Sequence, residues 1–436
     1  MTYKYNSRMP SYIEPSQLTE QQIYRLTESK TFCMLPWVHM HAFPDGRAFP
    51  CCLAATDLPV GDLHANTMAE VWNQKPLRDM RTRMLADQTT PECVKCYEQE
   101  SMGFFSMRNS ANKSNGHHIN IVDDTEADGT YHDFRLRYYD VRFSNLCNFK
   151  CRSCGSTFSS NWYRDEERMF GPRGHPQITI AGRHKEDMWE QMQPHIPHLE
   201  QIYFAGGEPL IMEEHYRILR ELADRKMFHV RLMYNTNFSE LRFKGQDVLE
   251  LWKLFDIVSV GASLDGSHAR GEYIRKGQDW AQTVANRQRM LEVCPRVDFY
   301  ISSTVSIFNV LHISDFHREW VDLGLIQPQD WNINILQGPD HQRINILPEH
   351  YKNLARQKIS DHIAWLEPLD KLTRATNGYR SLINFLNQDS GDTTRETELD
   401  GLLQEFFRRN YALDKFRSED FYATFPEYAE LKNHVR

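Results

Sequence analysis

No stretch of about 18 consecutive apolar residues occurs anywhere in the 436-residue chain, so no helix is expected to span a membrane. The opening residues, MTYKYNSRMPSYIEPSQ, lack the apolar segment of a secretory signal, and a reducing cytoplasm is the expected location. Basic charge is in deficit: 51 Lys and Arg against 59 Asp and Glu leave a formal net charge of −8. A chain with no global positive field has no general attraction for phosphate backbones, and nucleic acid is not expected as a partner. Short basic runs such as RDMRTRM (78–84) read as a solvated helix face. Repeats at solenoid periods and low-complexity tracts are also missing. Beyond residue 154 cysteine all but disappears, Cys294 being the one exception.

The other eight cysteines crowd into the first 154 residues. In a reducing compartment such clustering favours metal binding over disulfides. Cys294, at the end of a helical stretch, reads as a buried apolar residue. Composition divides the chain into a cysteine-rich region (1–112), a polar acidic linker (113–133), a strand–helix region (134–340) and a helical tail (341–436). An amphipathic helix is expected near 68–86. His117 and His118 fall in the linker and are expected to be solvated.

From residue 134 strands and helices alternate. Strands are expected at 134–144, 201–207, 229–235, 257–265, 297–306 and 331–336, with helices between them. Six strands joined by crossover helices indicate an α/β fold with a parallel sheet. Periodicity does not choose between a partial barrel and an open doubly wound sheet, but in either the ligand sits at the carboxyl ends of the strands. The tail, with periodic apolar residues in YKNLARQKISDHIAWLEPLDKL and LDGLLQEFFRRNYAL, is expected to pack over the sheet or cap the site.

Just past the first of these strands comes SNLCNFKCRSCGS (144–156), in which Cys147, Cys151 and Cys154 follow a Cys-x3-Cys-x2-Cys spacing. Three thiolates so spaced can wrap one face of a metal or cluster. A zinc ion would need a fourth ligand from elsewhere. An iron–sulfur cube held by three thiolates leaves one iron open to a small molecule. A second set lies upstream: Cys33, then Cys51 and Cys52 after the PDG turn (44–46), then PECVKC (91–96) with Cys93 and Cys96. Four thiolates in a hairpin pair and a tight pair can close a tetrahedral site, for zinc or for iron–sulfur alike, with one of Cys51 and Cys52 to spare. His39 and His41 flank the hairpin at alternate positions and read as strand residues on one face.

The 144–156 motif resembles the cluster-binding signature of the radical S-adenosylmethionine superfamily, with Ser153 where that family commonly has an aromatic residue. The resemblance implies an incomplete barrel, a partial (βα)6 array, in which Cys147, Cys151 and Cys154 hold a 4Fe–4S cluster. The open iron would be chelated by S-adenosylmethionine, whose reductive cleavage yields a 5′-deoxyadenosyl radical. AGGEP (205–209) resembles the family's methionyl-amine motif, implying that role for Gly206, Gly207 and Glu208. Thr236 and Asn237 also fit the pattern. SLDG (263–266) implies ribose contacts from Ser263 and Asp265, and YIRKG (273–277) implies a methionyl-carboxylate contact from Arg275. Thr304 and Asn309 are further candidates to line the site.

The upstream set, Cys33-x12-Gly46-x4-Cys51 followed by Cys93-x2-Cys96, is similar to the opening of SPASM and twitch auxiliary-cluster domains. It stands ahead of the core, where such domains usually follow it, and no further cysteines extend it before Cys147. This implies the shorter, one-cluster form, with Cys33, Cys51, Cys93 and Cys96 ligating an auxiliary 4Fe–4S cluster that transfers electrons. The implied partners are S-adenosylmethionine, a reductase such as flavodoxin or ferredoxin, and a substrate that is either a peptide or a small metabolite.

Overall fold

The computed structural model describes residues 17–101, 105–387 and 393–434. The chain forms two compact units, residues 1–144 with 180–203, and residues 145–179 with 204–436. These units cut the chain elsewhere than the composition boundaries did.

The first unit carries β1 (His39–Ala42), β2 (Arg47–Phe49), β3 (Gly61–Asp62), β4 (Tyr138–Val141) and β5 (Gln201–Phe204, all but its last residue). β1 and β2 form the expected hairpin, with Gly46 at φ +85° closing the turn, and β3 continues the antiparallel run. β1 lies parallel to β4, His41 opposite Asp140, and β4 lies parallel to β5. The helix expected near 68–86 is two helices, Met68–Trp72 and Lys75–Leu85. Thr67 caps the first with a capping box, and Pro76 in the first turn of the second fixes a new start.

The stretch 113–133 differs from a linker. It contains the 3₁₀ turn Gly116–Asp124, and Ile119, Val122 and Tyr131 are at most 2% exposed. Ile119 and Val122 are three apart and share a face, so a mostly polar segment still anchors itself in the core. Residues 180–203 join this unit because Met188, Trp189 and Met192 are buried and the Tyr139 hydroxyl donates to the Met192 carbonyl.

The second unit holds β6 (Arg231–Thr236), β9 (Val258–Ala262), β10 (Asp298–Val305) and β11 (Trp331–Ile335), all parallel, in the order β11-β10-β9-β6, plus a short hairpin of β7 (Arg242–Phe243) and β8 (Gln246–Asp247). Helices Val248–Trp252, Trp280–Val293 and Ile313–Asp322 make the crossovers. All six strands expected from the sequence are therefore present, and the protein is α/β with its long strands parallel, as expected of a partial barrel. β9, paired on both sides, is buried along its whole length, as a central parallel strand requires. The tail forms helices Glu349–Leu366, Arg374–Asn387 and Thr393–Arg417. Among the described residues no helix is long and apolar enough to cross a membrane.

Candidate functional site

In the second unit the three-cysteine loop is held by its backbone. Lys150 N donates to Lys276 O at 2.8 Å and Arg152 N to Ile274 O at 2.8 Å, so the loop runs alongside the YIRKG segment. Gly277, at φ +115°, lets Phe149 approach; a Cβ there would come within 2.8 Å of the ring. Inside the loop Trp162 Nε1 donates to Cys151 O at 2.6 Å and Cys154 N donates to Cys151 O at 3.0 Å. The three thiols are half-buried. Burial pushes all three upward, Cys154 to about 12. Bare thiols in this loop thus stay protonated, and a bound cation is what would deprotonate them.

The GGEP segment comes up beneath the loop. Glu208 N donates to Leu146 O at 2.8 Å. Gly207, at φ +26°, sits so close that a Cβ would lie 2.1 Å from the same oxygen, and Gly206 has φ +81°. Only glycine satisfies both conditions. The Glu208 carboxylate is 1% exposed and accepts from Leu210 N (2.9 Å), Thr236 Oγ1 (2.6 Å) and Asn237 N (2.7 Å). Burial still raises its pKa to about 7 against these bonds. Asn237 Nδ2 donates to Asn148 Oδ1 at 2.8 Å, which ties the end of β6 to the cysteine loop.

Ser263 lies half-buried past the end of β9, its N donating to Thr236 O at 2.7 Å. Asp265 points inward. It is 1% exposed and accepts from Thr304 N at 2.8 Å, and its Oδ2 lies 2.7 Å from Arg275 Nε. Arg275 Nη1 is 3.7 Å from Cys151 Sγ. Burial works against the Arg275 charge, but Asp265 and Cys151 outweigh it and hold the guanidinium firmly protonated. Asn309 Nδ2 donates to the carbonyls of Asp265 and Thr304, both at 3.0 Å, so Asn309 and Thr304 brace Asp265.

Arg152, between two of the cysteines, has no counterpart in the sequence reading. Its side chain is fully buried and bonded to Asn410 (2.5 Å), Asp414 (2.5 Å) and Glu419 (2.6 Å), with the Tyr273 ring 3.6 Å from its guanidinium carbon. Arg417 pairs with Asp165 at 2.9 Å, and Lys276 with Glu419 at 3.0 Å. The tail helix Thr393–Arg417 therefore covers the cysteine loop, as expected of a cap. A cavity of about 170 Å³ lies between them, lined by Arg152, Cys154, Trp162, His341 and Arg409 among others.

In the first unit Cys33, Cys51, Cys93 and Cys96 share one neighbourhood: the Cys33 thiol is coupled electrostatically to Cys93 and Cys96, and that of Cys51 to Cys52 first and then to Cys93 and Cys33. Cys52 has a second set of neighbours. Burial raises its thiol to about 12, and its charged neighbours are Asp140 and Arg142. Among the described residues no three cysteine sulfurs lie within 4.8 Å of one another. Thiolates around one zinc at about 2.3 Å would stand about 3.8 Å apart. The wider spacing suits a multi-iron cluster better than a single zinc.

His39 and His41 are buried strand residues, as expected, each ring Nδ1 lying 3.0 Å from a β4 carbonyl oxygen (Tyr138 and Asp140), and His41 Nδ1 is also 3.0 Å from Asp140 Oδ2. Cys294 is buried as well. His117 and His118 are not solvated; both are half-buried against Glu200.

Residues 33–97 match the model of the SPASM iron–sulfur cluster-binding domain. A curated relative, 7,8-dihydro-6-hydroxymethylpterin dimethyltransferase of Methanocaldococcus jannaschii, is 22% identical over 160 residues, 37% of this chain. The match spans about a quarter of that relative, 28% of its length. Two solved structures are similar over part of their length. "Native anSMEcpe with bound AdoMet" has a TM-score of 0.36 and 17% identity, covering 51% of this chain and 59% of that one. Streptococcus suis SuiB bound to S-adenosylmethionine has a TM-score of 0.31 and 11% identity, covering 67% and 62%. Residues 33–97, the stretch that holds Cys33, Cys51, Cys93 and Cys96, are thus similar to a SPASM iron–sulfur cluster-binding domain.

Proposed function

We propose that the chain is a radical S-adenosylmethionine enzyme whose Cys147, Cys151 and Cys154 hold a 4Fe–4S cluster and whose Cys33, Cys51, Cys93 and Cys96 hold an auxiliary one. The observation that carries this reading is the convergence of three separated segments on one loop: GGEP beneath Leu146, YIRKG alongside residues 150–152, and Asn237 on Asn148. Bound there, the reduced cluster and S-adenosylmethionine would supply a 5′-deoxyadenosyl radical. Gly206 and Gly207 keep the backbone low enough for a ligand to approach. Glu208 spends its carboxylate mainly on ordering Thr236 and Asn237, and Asp265 spends its own on Arg275. Both are positioning residues in this reading, while Ser263 stays free to meet the ribose. Arg275, already charged and beside Cys151, is placed to meet a carboxylate near the cluster.

In this reading the auxiliary-cluster domain lies within 1–112, the radical core within 134–340 and a covering tail from 341, although the two compact units divide the chain at other positions. The substrate is a peptide or a small metabolite, the electron donor a flavodoxin or ferredoxin, and the setting the cytoplasm. The curated relative, named as a pterin dimethyltransferase, supports the metabolite reading. Anaerobically reconstituted protein should be brown, with about eight irons per chain if both sites hold cubes. With dithionite it should convert S-adenosylmethionine to 5′-deoxyadenosine. Fully iron-loaded protein that makes none would sink the reading, and colourless protein holding only zinc would reduce the cysteines to a structural role.

A further inference from the structure

One cluster of ligating side chains has no part in this chemistry. In the first unit the 3₁₀ turn Gly116–Asp124 opens with two adjacent histidines whose rings converge on a single carboxylate. His117 Nε2 lies 2.8 Å from Glu200 Oε2, and His118 Nε2 lies 2.6 Å from Glu200 Oε1. The two ring centroids are 3.8 Å apart. The side chains are 11%, 13% and 26% exposed, half-buried but open to a small ion. One ligand atom from each falls within 4.8 Å of the other two, and among the described residues no other three His, Cys, Asp or Glu meet that condition.

Two imidazoles and a carboxylate form the donor set of mononuclear sites that keep an open position. We propose that His117, His118 and Glu200 bind one divalent cation of the zinc class, separate from the cysteine-held clusters, with water completing its coordination.

The donors are fixed in advance. Glu200, one residue ahead of β5, donates its N–H to Arg137 O at 2.9 Å. Gly116 packs on Leu26, where a Cβ would sit 3.2 Å from a methyl carbon, and this sets the start of the turn. Arg137 lies close enough to His118 to work against a second positive charge, and the Glu200 carboxylate offsets it. The ion would take the place of the hydrogen bonds that join each ring Nε2 to Glu200. The ion would fasten the 116–124 turn to the start of β5.

The test is a cobalt titration of full-length protein already reconstituted with iron and sulfide, so that the cysteines are occupied. Wild-type protein should take up one added Co2+ per chain, with visible d–d bands and no thiolate-to-cobalt charge transfer, and Zn2+ should displace it. Loss of one ligand should weaken binding by at least tenfold. Glu200→Gln keeps the shape and a hydrogen-bond acceptor, and His118→Ala removes a ring; both should lose that affinity at unchanged iron content. Zn2+ should also raise the unfolding temperature of wild type and leave Glu200→Gln unmoved. Equal uptake by wild type and both variants, no added equivalent in wild type, or bands carrying a sulfur charge-transfer signature would each overturn the proposal.

Discussion

Arg275 Nε stands 2.7 Å from Asp265 Oδ2, in a pair whose side chains are 12% and 1% exposed. Removing one partner of a buried pair strands the other, at a cost of about 3–5 kcal/mol. Asp265→Ala should therefore unfold at markedly lower denaturant, while Asp265→Asn, which can still accept from Thr304 N, should lose less. Anaerobic urea titrations check this; an alanine variant within about 1 kcal/mol of wild type would show that the pair holds nothing together.

Gly207→Ala places a methyl group 2.1 Å from Leu146 O, and Gly206→Ala meets an unfavourable left-handed backbone. The second change should cost about 1–2 kcal/mol. The first should cost more and also dislodge the cysteine loop, seen as lower iron content and lost 5′-deoxyadenosine formation. Equal iron retention in the two variants would contradict the close packing of these segments.

Glu208 should imprint a slope on the stability curve. Its pKa of about 7 lies above the ordinary 4.5, so the folded state binds the proton more tightly than the unfolded one. Stability is then full below about 4.5, is lost as pH rises toward about 7, and is level beyond. The loss should amount to about 3 kcal/mol. Glu208→Gln lacks this loss, so the difference between variant and wild type should shift in the variant's favour between pH 5.5 and 8. A difference that stays flat in parallel urea melts would contradict the raised value.

Cys51 and Cys52 should behave oppositely. Cys51→Ala should reduce iron by about four per chain, while Cys52→Ala should leave it unchanged, because its thiol faces Asp140 and Arg142. Iron and sulfide analysis decides. Arg152→Ala should strand Asp414 and Glu419 and loosen the tail helix, costing about 3 kcal/mol or more and speeding iron release to a chelator.

The parallel strands were legible because their β-branched and aromatic runs sit between clear helical periods, and the cysteine and GGEP motifs were legible because their chemistry is local. Other features were hidden for physical reasons. The stretch 113–133 looks polar letter by letter, yet three side chains, Ile119, Val122 and Tyr131, decide its burial. The break at Asn73–Pro76 turned one expected helix into two, since capping and proline chemistry overrode the apolar period. Cys51 and Cys52 are equivalent in sequence terms, and their further neighbours, Cys93 and Cys33 for one and Asp140 and Arg142 for the other, separate them. Arg152 could not be read at all, because Asn410 lies 258 positions away and Asp414 262.

The ladder between residues 150–152 and 274–276 has a bearing on maturation. Because Lys150 N and Arg152 N are bonded to carbonyls of the neighbouring segment, the loop takes its shape from the polypeptide alone. A loop tied in this way should present its three thiols in a fixed arrangement to whatever delivers a metal.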